Sequence, residues 1–139
     1  YPEKEREMEV ARVYGAGDPL GDLRPVLTPQ QVVGLQAAAR SIRVTDVTLG
    51  YLVDVVRAIR DHPAVRLGVS PRATLAAYRC AQALALLQGR TFVVPDDIKR
   101  LAQPVFGHRL LLRTQSSLTG GTADELIAEV LKSVPVPVE

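Results

Sequence analysis

The 139-residue sequence predicts an all-α domain, a bundle of about six helices with no sizeable sheet. Three observations carry that reading. Apolar residues recur at helical spacing in one segment after another. Those segments open on capping residues and close on Gly or Pro. The stretches that could be extended, Ser41-Ile42-Arg43-Val44 and Thr91-Phe92-Val93-Val94, are too short and isolated to build a sheet.

The first helix is expected over residues 3–14. Glu3, Glu5 and Glu7 lie early and Arg12 late, in agreement with the helix dipole. Met8, Val10, Ala11 and Tyr14 give it one apolar edge, and Gly15-Ala16-Gly17-Asp18-Pro19 ends it. A loop follows to about Leu27. Thr28-Pro29-Gln30-Gln31 is a capping-box signature, with Gln31 three residues after the capping Thr28. Its helix runs to about Arg40, with Val32, Leu35, Gln36 and Ala39 on one face.

Thr45 or Asp46 caps the third helix, which Asp61-His62-Pro63 ends. Leu49, Leu52, Val53, Val56 and Ile59 are its expected buried stripe, opposite Tyr51, Asp54 and Arg57. Asp46 and Asp54 are too far apart for an acid–base pair. His62 falls near a helix C-terminus, where an imidazole has a structural place.

The fourth helix, from about Pro71 to Leu87, organises the chain. Ser70 is a suitable N-cap, Pro71 occupies the first helical position, and Gly89 stops the helix. Ala76, Cys80, Ala83, Leu84 and Leu87 form a stripe. Ala73, Ala77, Ala81 and Leu86 leave only Arg72, Arg79 and Gln82 as a polar strip, which predicts a central helix. Cys80 is then expected to be a buried thiol in a reducing compartment. Seven residues advance a helix by roughly 700°, so Arg72 and Arg79 point the same way. Arg72 sits at the end of the helix that carries partial positive charge, the wrong end for a cation. A nearby anion would account for it, since phosphates favour helix N-termini and arginine binds them with a planar fork. The plain alternative is an arginine in solvent or paired with a carboxylate. A structural carboxylate partner is expected for Arg79.

The fifth helix opens on Pro95-Asp96-Asp97 and presents Ile98, Leu101, Ala102 and Val105, with Pro104 kinking or restarting it. Residues 106–113 form a turn-rich apolar segment with His108 and Arg109 on a polar edge. A polar loop covers residues 113–121. Thr122-Ala123-Asp124-Glu125 is a second capping box, and its helix buries Leu126, Ile127, Val130 and Leu131. The domain is expected to span residues 1–134, with 135–139 an extended, Pro-interrupted tail.

Composition excludes several functions. The net charge of +2 predicts neither nucleic-acid nor membrane binding. Trp is absent and aromatics are few, so base-stacking platforms are not expected. No apolar run approaches a membrane span, and no signal peptide is evident. The two histidines lack metal-site spacing. There is no Gly-rich phosphate loop with Lys and no catalytic triad. The chain opens on Tyr1-Pro2 without an initiator Met and reads as part of a longer or processed chain.

The order of motifs is more specific. Tyr1-Pro2 and a Glu-rich helix precede Gly68-Val69-Ser70-Pro71-Arg72-Ala73. Then follow Ala81-Gln82-Ala83-Leu84-Ala85-Leu86-Leu87-Gln88-Gly89-Arg90, Val94-Pro95-Asp96-Asp97-Ile98 and His108-Arg109-Leu110. Along nearly its whole length this resembles the C-terminal lid domain of MoxR-type AAA+ ATPases. Val94 stands where the family often has a Thr or Ser cap. The resemblance implies that Arg72 is the sensor-2 arginine, reaching the γ-phosphate of ATP on a preceding core domain, with Ser70 and Pro71 holding the backbone there. It implies ATP and Mg2+ in the parent protein, with neither expected to bind this chain tightly alone and no metal site in the chain itself. The partners implied are the chain's own AAA+ core, neighbouring subunits of a ring (commonly a hexamer), and client proteins that include von Willebrand factor A-type partners. The implied compartment is the cytoplasm. The isolated chain is not expected to hydrolyse ATP; the parent is, coupled to chaperone-like remodelling.

Two other readings compete. One is a free-standing helical interaction or DNA-binding module, with residues 95–103 as recognition helix; Asp96 and Asp97 at the end that would meet DNA argue against it. The other is a small enzyme in its own right, for which no acid, base and nucleophile assemble.

Overall fold

Both capping boxes form. The computed structural model describes residues 1–113 and 121–137 and divides into two compact units, residues 1–33 and 34–139. In the first, α1 (Lys4–Ala16) carries Glu5 and Glu7 in its first turn and buries no residue, so its apolar edge is exposed. A 3-10 turn (Pro19–Asp22) follows, with Asp18 Oδ1 accepting from the Leu20 N–H at 3.0 Å. The Thr28 N–H donates to Gln31 Oε1 at 2.7 Å, and the Gln31 N–H to Thr28 Oγ1 at 3.3 Å. This starts α2 (Pro29–Ser41), which also buries no residue.

The second unit holds the core. It contains the end of α2, then α3 (Asp46–Asp61), α4 (Pro71–Leu87), α5 (Pro95–Phe106) and α6 (Ala123–Ser133). The described residues thus show six α-helices. Two short strands, β1 (Val65–Leu67) and β2 (Leu111–Leu112), pair antiparallel with one irregularity. They lie between α3 and α4 and between α5 and α6, tying the ends of those helices together. The connectors 41–44 and 91–94 form a single parallel bridge: the Arg43 N–H donates to the Thr91 carbonyl at 3.1 Å, and the Val93 N–H to the Arg43 carbonyl at 3.0 Å.

The main core draws Leu52, Val55, Val56 and Ile59 from α3, Ala73 and Ala77 from α4, Ile98, Ala102 and Phe106 from α5, and Leu126, Ile127 and Val130 from α6. A smaller cluster gathers Ile42, Ala81, Ala85 and Val93 beside the bridged connectors. Helix α4 therefore buries an alanine line, Ala73, Ala77, Ala81 and Ala85, at i, i+4 spacing. Small residues on the contact line let helix axes approach closely.

Four expectations about faces are corrected. Helix α4 is not buried all round: Leu75 and Leu87 are exposed, and Cys80 is exposed rather than buried. The contact line runs along the alanines, a step around the helix from the stripe that contains Cys80. Gln82 is buried instead of lying on an outer polar strip. Its Nε2 donates to the Ile42 carbonyl at 2.8 Å and the Arg40 carbonyl at 3.2 Å, satisfying backbone at the end of α2. Arg79 is exposed, and among the described residues it has no ion-pair partner. On α3 the buried face is Thr48, Tyr51, Leu52, Val55, Val56 and Ile59, while Leu49 and Val53 are exposed. Tyr51 is 2% exposed and belongs to the main core.

Pro104 is accommodated inside α5, close to its end. Residues 114–120 of the expected polar loop, and residues 138–139 of the expected tail, lie outside the described residues; residues 135–137 are not helical.

Candidate functional site

The mouth of α4 is where the sequence placed its one unexplained charge. Ser70 is the N-cap residue with extended backbone (φ −76°, ψ 165°), and Pro71 takes the first helical position, as expected. The Ser70 hydroxyl makes no capping bond. Its carbonyl instead accepts from the N–H groups of Ala73 at 2.9 Å and Thr74 at 3.3 Å. Pro71 has no N–H to give, and the Arg72 guanidinium adds donors at this end of the helix. Ser70, Pro71 and Arg72 are all exposed, and among the described residues Arg72 has no ion pair. The residues flanking them are not exposed: Val69 and Ala73 are buried in the main core. A free guanidinium thus stands on a short exposed step whose two ends are packed.

The step is braced from α3. Arg60, in the last turn of that helix, donates from Nε to the Val69 carbonyl at 2.6 Å. Gly68 makes the approach possible, because a side chain there would place its Cβ 2.9 Å from Arg60 Cγ and 3.0 Å from Arg60 Cα. Beside the brace, α3 and α4 leave an open apolar groove of about 500 Å³, lined by Leu49, Val53, Leu75 and Tyr78 among others.

The other end of α4 is closed. Gly89 adopts φ +71°, its N–H donates to the Leu86 carbonyl, and the Arg90 N–H to the Ala85 carbonyl, both at 2.9 Å. This is a Schellman termination, which needs the left-handed backbone that glycine adopts without strain. Arg90 then grips Asp97 through both Nη atoms, at 2.9 and 2.6 Å. Asp97 also accepts from the Val94 N–H at 2.9 Å, the carboxylate half of a capping box, while its own N–H donates to the Val94 carbonyl at 3.0 Å because Val94 has no side-chain acceptor. Asp97 is buried, and its hydrogen bond holds the Arg90 guanidinium charged, its pKa raised above the ordinary arginine value. The Gly-Arg and Val-Pro-Asp-Asp-Ile motifs are therefore two halves of one clamp. Sequence spacing did not reveal it, because the partners lie on either side of a loop.

The histidines have local partners. His62 Nδ1 accepts from the Ala64 N–H at 3.2 Å, just beyond the end of α3. His108 Nδ1 lies 3.1 Å from the Pro104 carbonyl, and its Nε2 accepts from Arg109 Nε at 3.0 Å. Among the described residues no group of three His, Cys, Asp or Glu could hold a metal ion, and no helix is long and apolar enough to cross a membrane.

The unit is small and all-helical, and its fourth helix opens on an exposed arginine that has no ion pair among the described residues. The AAA lid domain family matches residues 57–130, and the chain belongs to that family. Within it the chain is of the MoxR type. It is 36% identical to the uncharacterized protein YeaC of Bacillus subtilis over 139 residues, which is all of this chain and 43% of that protein. It is 31% identical to the chaperone MoxR1 of Mycobacterium tuberculosis over 99% of this chain and 38% of that protein. The chain thus spans less than half the length of these relatives. A crystal structure of a candidate ATPase from Cytophaga hutchinsonii shares the fold, with a TM-score of 0.87 at 23% identity, over 99% of this chain and 44% of that one.

Proposed function

We propose that this chain is the C-terminal lid of a MoxR-type AAA+ ATPase and that Arg72 is its sensor-2 arginine. The observation that carries the reading is the exposed Arg72 on the first turn of α4, without an ion pair among the described residues and set between the buried Val69 and Ala73. A cation there is unfavourable for the isolated helix and favourable once a phosphate lies beside it. The donor set present, a guanidinium at a helix N-terminus, fits a triphosphate oxygen. ATP with Mg2+, held by the core domain, supplies the phosphoryl group to be transferred. Arg72 neutralises charge on the terminal phosphate, and because it belongs to the lid it couples that contact to the closure of lid on core. Ser70 and Pro71 set the backbone from which Arg72 projects.

The parent protein hydrolyses ATP as a homo-oligomeric ring, commonly a hexamer, in the cytoplasm. It uses the cycle for chaperone-like remodelling of client proteins, von Willebrand factor A-type partners among them. The name of the relative MoxR1, a chaperone, supports the remodelling role. In a DNA-binding reading the N-terminus of α5 would meet the backbone; the inward turn of Asp97 to Arg90 gives that end a structural task instead.

The test is Arg72→Ala in the full-length protein. ATP turnover is expected to fall by about a thousandfold, in the range known for arginines that stabilise phosphoryl transfer. Stability of the lid, followed by thermal unfolding, should change by no more than about 0.5 kcal/mol, as for other exposed substitutions. Wild-type turnover in the variant would end the sensor-2 assignment.

A further inference from the structure

We infer that Arg60 is a positioning residue for Arg72: through its hydrogen bond to the Val69 carbonyl it sets where the mouth of α4 holds the arginine. The inference rests on the reading of Arg72 as the phosphate-sensing group.

The mouth of α4 lacks the brace a helix usually provides for itself. Ser70 makes no side-chain cap, and Pro71 has no N–H. A missing side-chain cap removes one of the contacts that fix the start of a helix. A second element must hold it. Arg60 Nε reaches the carbonyl of Val69, one residue before the cap, at 2.6 Å. A charged donor on a neutral carbonyl is among the stronger hydrogen bonds of a fold. The stem of Arg60 lies against Gly68, so close that a Cβ there would fall 2.9 Å from its Cγ. Gly68 and Val69 are thus gripped from α3 on both counts, backbone contact and hydrogen bond. Arg72 follows three residues after the gripped carbonyl.

The grip also passes through rigid matter on the far side. Ile59, next to Arg60, is fully buried in the same core cluster as Val69 and Ala73. Arg60 itself is exposed, but it projects from a turn of α3 anchored by Ile59 and carries that position to the mouth of α4. No carboxylate competes for it, since among the described residues Arg60 has no ion-pair partner. A side chain whose one directional contact is with the segment that aims a phosphate-binding arginine is placed to control that aim, and a misplacement of about 1 Å can cost a hundredfold in rate.

The experiment uses the full-length protein and the variant Arg60→Met, which keeps an unbranched stem against Gly68 and removes the donor. ATP turnover is measured for Arg60→Met, Arg72→Ala and the double variant, at a temperature below the unfolding midpoint of each. Arg60→Met alone is expected to lower turnover about tenfold; in the Arg72→Ala background it should lower it by less than about twofold, because a residue acting through another loses its effect when that other is removed. The change in unfolding midpoint should be the same in both backgrounds, which separates aim from stability. Equal losses of turnover in both backgrounds, or no loss in the first, would overturn the positioning role and leave Arg72 as the sensor. No loss from Arg72→Ala alone would overturn the sensor reading, and this inference with it.

Discussion

The two ends of α4 are built on opposite principles. The C-terminal end is finished within the domain: Gly89 terminates it, Arg90 and Asp97 clamp the turn to α5, and the Val94 N–H has its acceptor. The N-terminal end is unfinished. Its cap makes no side-chain bond, its first turn carries a cation, and that cation has no partner among the described residues. Both ends hold a run of residues distinctive enough to be singled out in the sequence. Only their surroundings separate them: Arg90 is bonded within the domain, and Arg72 has no ion pair among the described residues. Arg90 fastens the fold, and Arg72 is the arginine proposed to act beyond it.

That contrast can be broken by exchanging readouts between the ends. The largest effect is the loss of turnover, about a thousandfold, expected for Arg72→Ala with stability unchanged. At the closed end Asp97→Ala should do the reverse. It removes the two bonds from Arg90 to Asp97 and orphans the Val94 N–H, and should destabilise the domain by about 3 kcal/mol by chemical denaturation. Turnover per folded molecule of the full-length protein should stay near wild type. Collapse of turnover in folded Asp97→Ala would mean that the two ends are coupled along α4.

Gly89→Ala is a milder probe of the same end. At φ +71° a side chain is strained, and the cost should be about 1 kcal/mol, read from the denaturation midpoint. The smallest effect sharpens the comparison with a third helix end, where the cap is complete. The Thr122 N–H, 2.9 Å from Glu125 Oε2, holds that carboxyl below its ordinary pKa, and the Thr122 hydroxyl adds to this. Above the ordinary value both folded and unfolded states are ionised and the stabilisation is fully present. It is lost as pH falls through the lower folded-state value. The unfolding midpoint should therefore decline below about pH 4.5, and Glu125→Gln should flatten that decline. An unchanged slope in the variant would show that the complete cap, like the bare one at Ser70, contributes little.

What was legible in the sequence was local. Thr28 with Gln31, Thr122 with Glu125, Pro71 at the start of α4 and Gly89 after its end could be read because each is decided within a turn of backbone. Arg72 could be read as anomalous for the same reason. The buried faces could not. On helix α3 the apolar residues extend beyond the buried face, so periodicity alone took in Leu49 and Val53, both exposed, and left out Tyr51 and Val55. On α4 the large residues drew attention and the alanines made the contact.

The sequence by itself determined the helices, their ends and the out-of-place charge, since caps, terminators and dipole effects act over three or four residues. Only the tertiary structure decided which face each helix buries, that Gln82 turns inward to the end of α2, that Arg90 clamps Asp97, and that Arg60 holds the mouth of α4 from another helix. These depend on what lies across the fold, and a pattern along one chain carries no information about the partner that space brings to it.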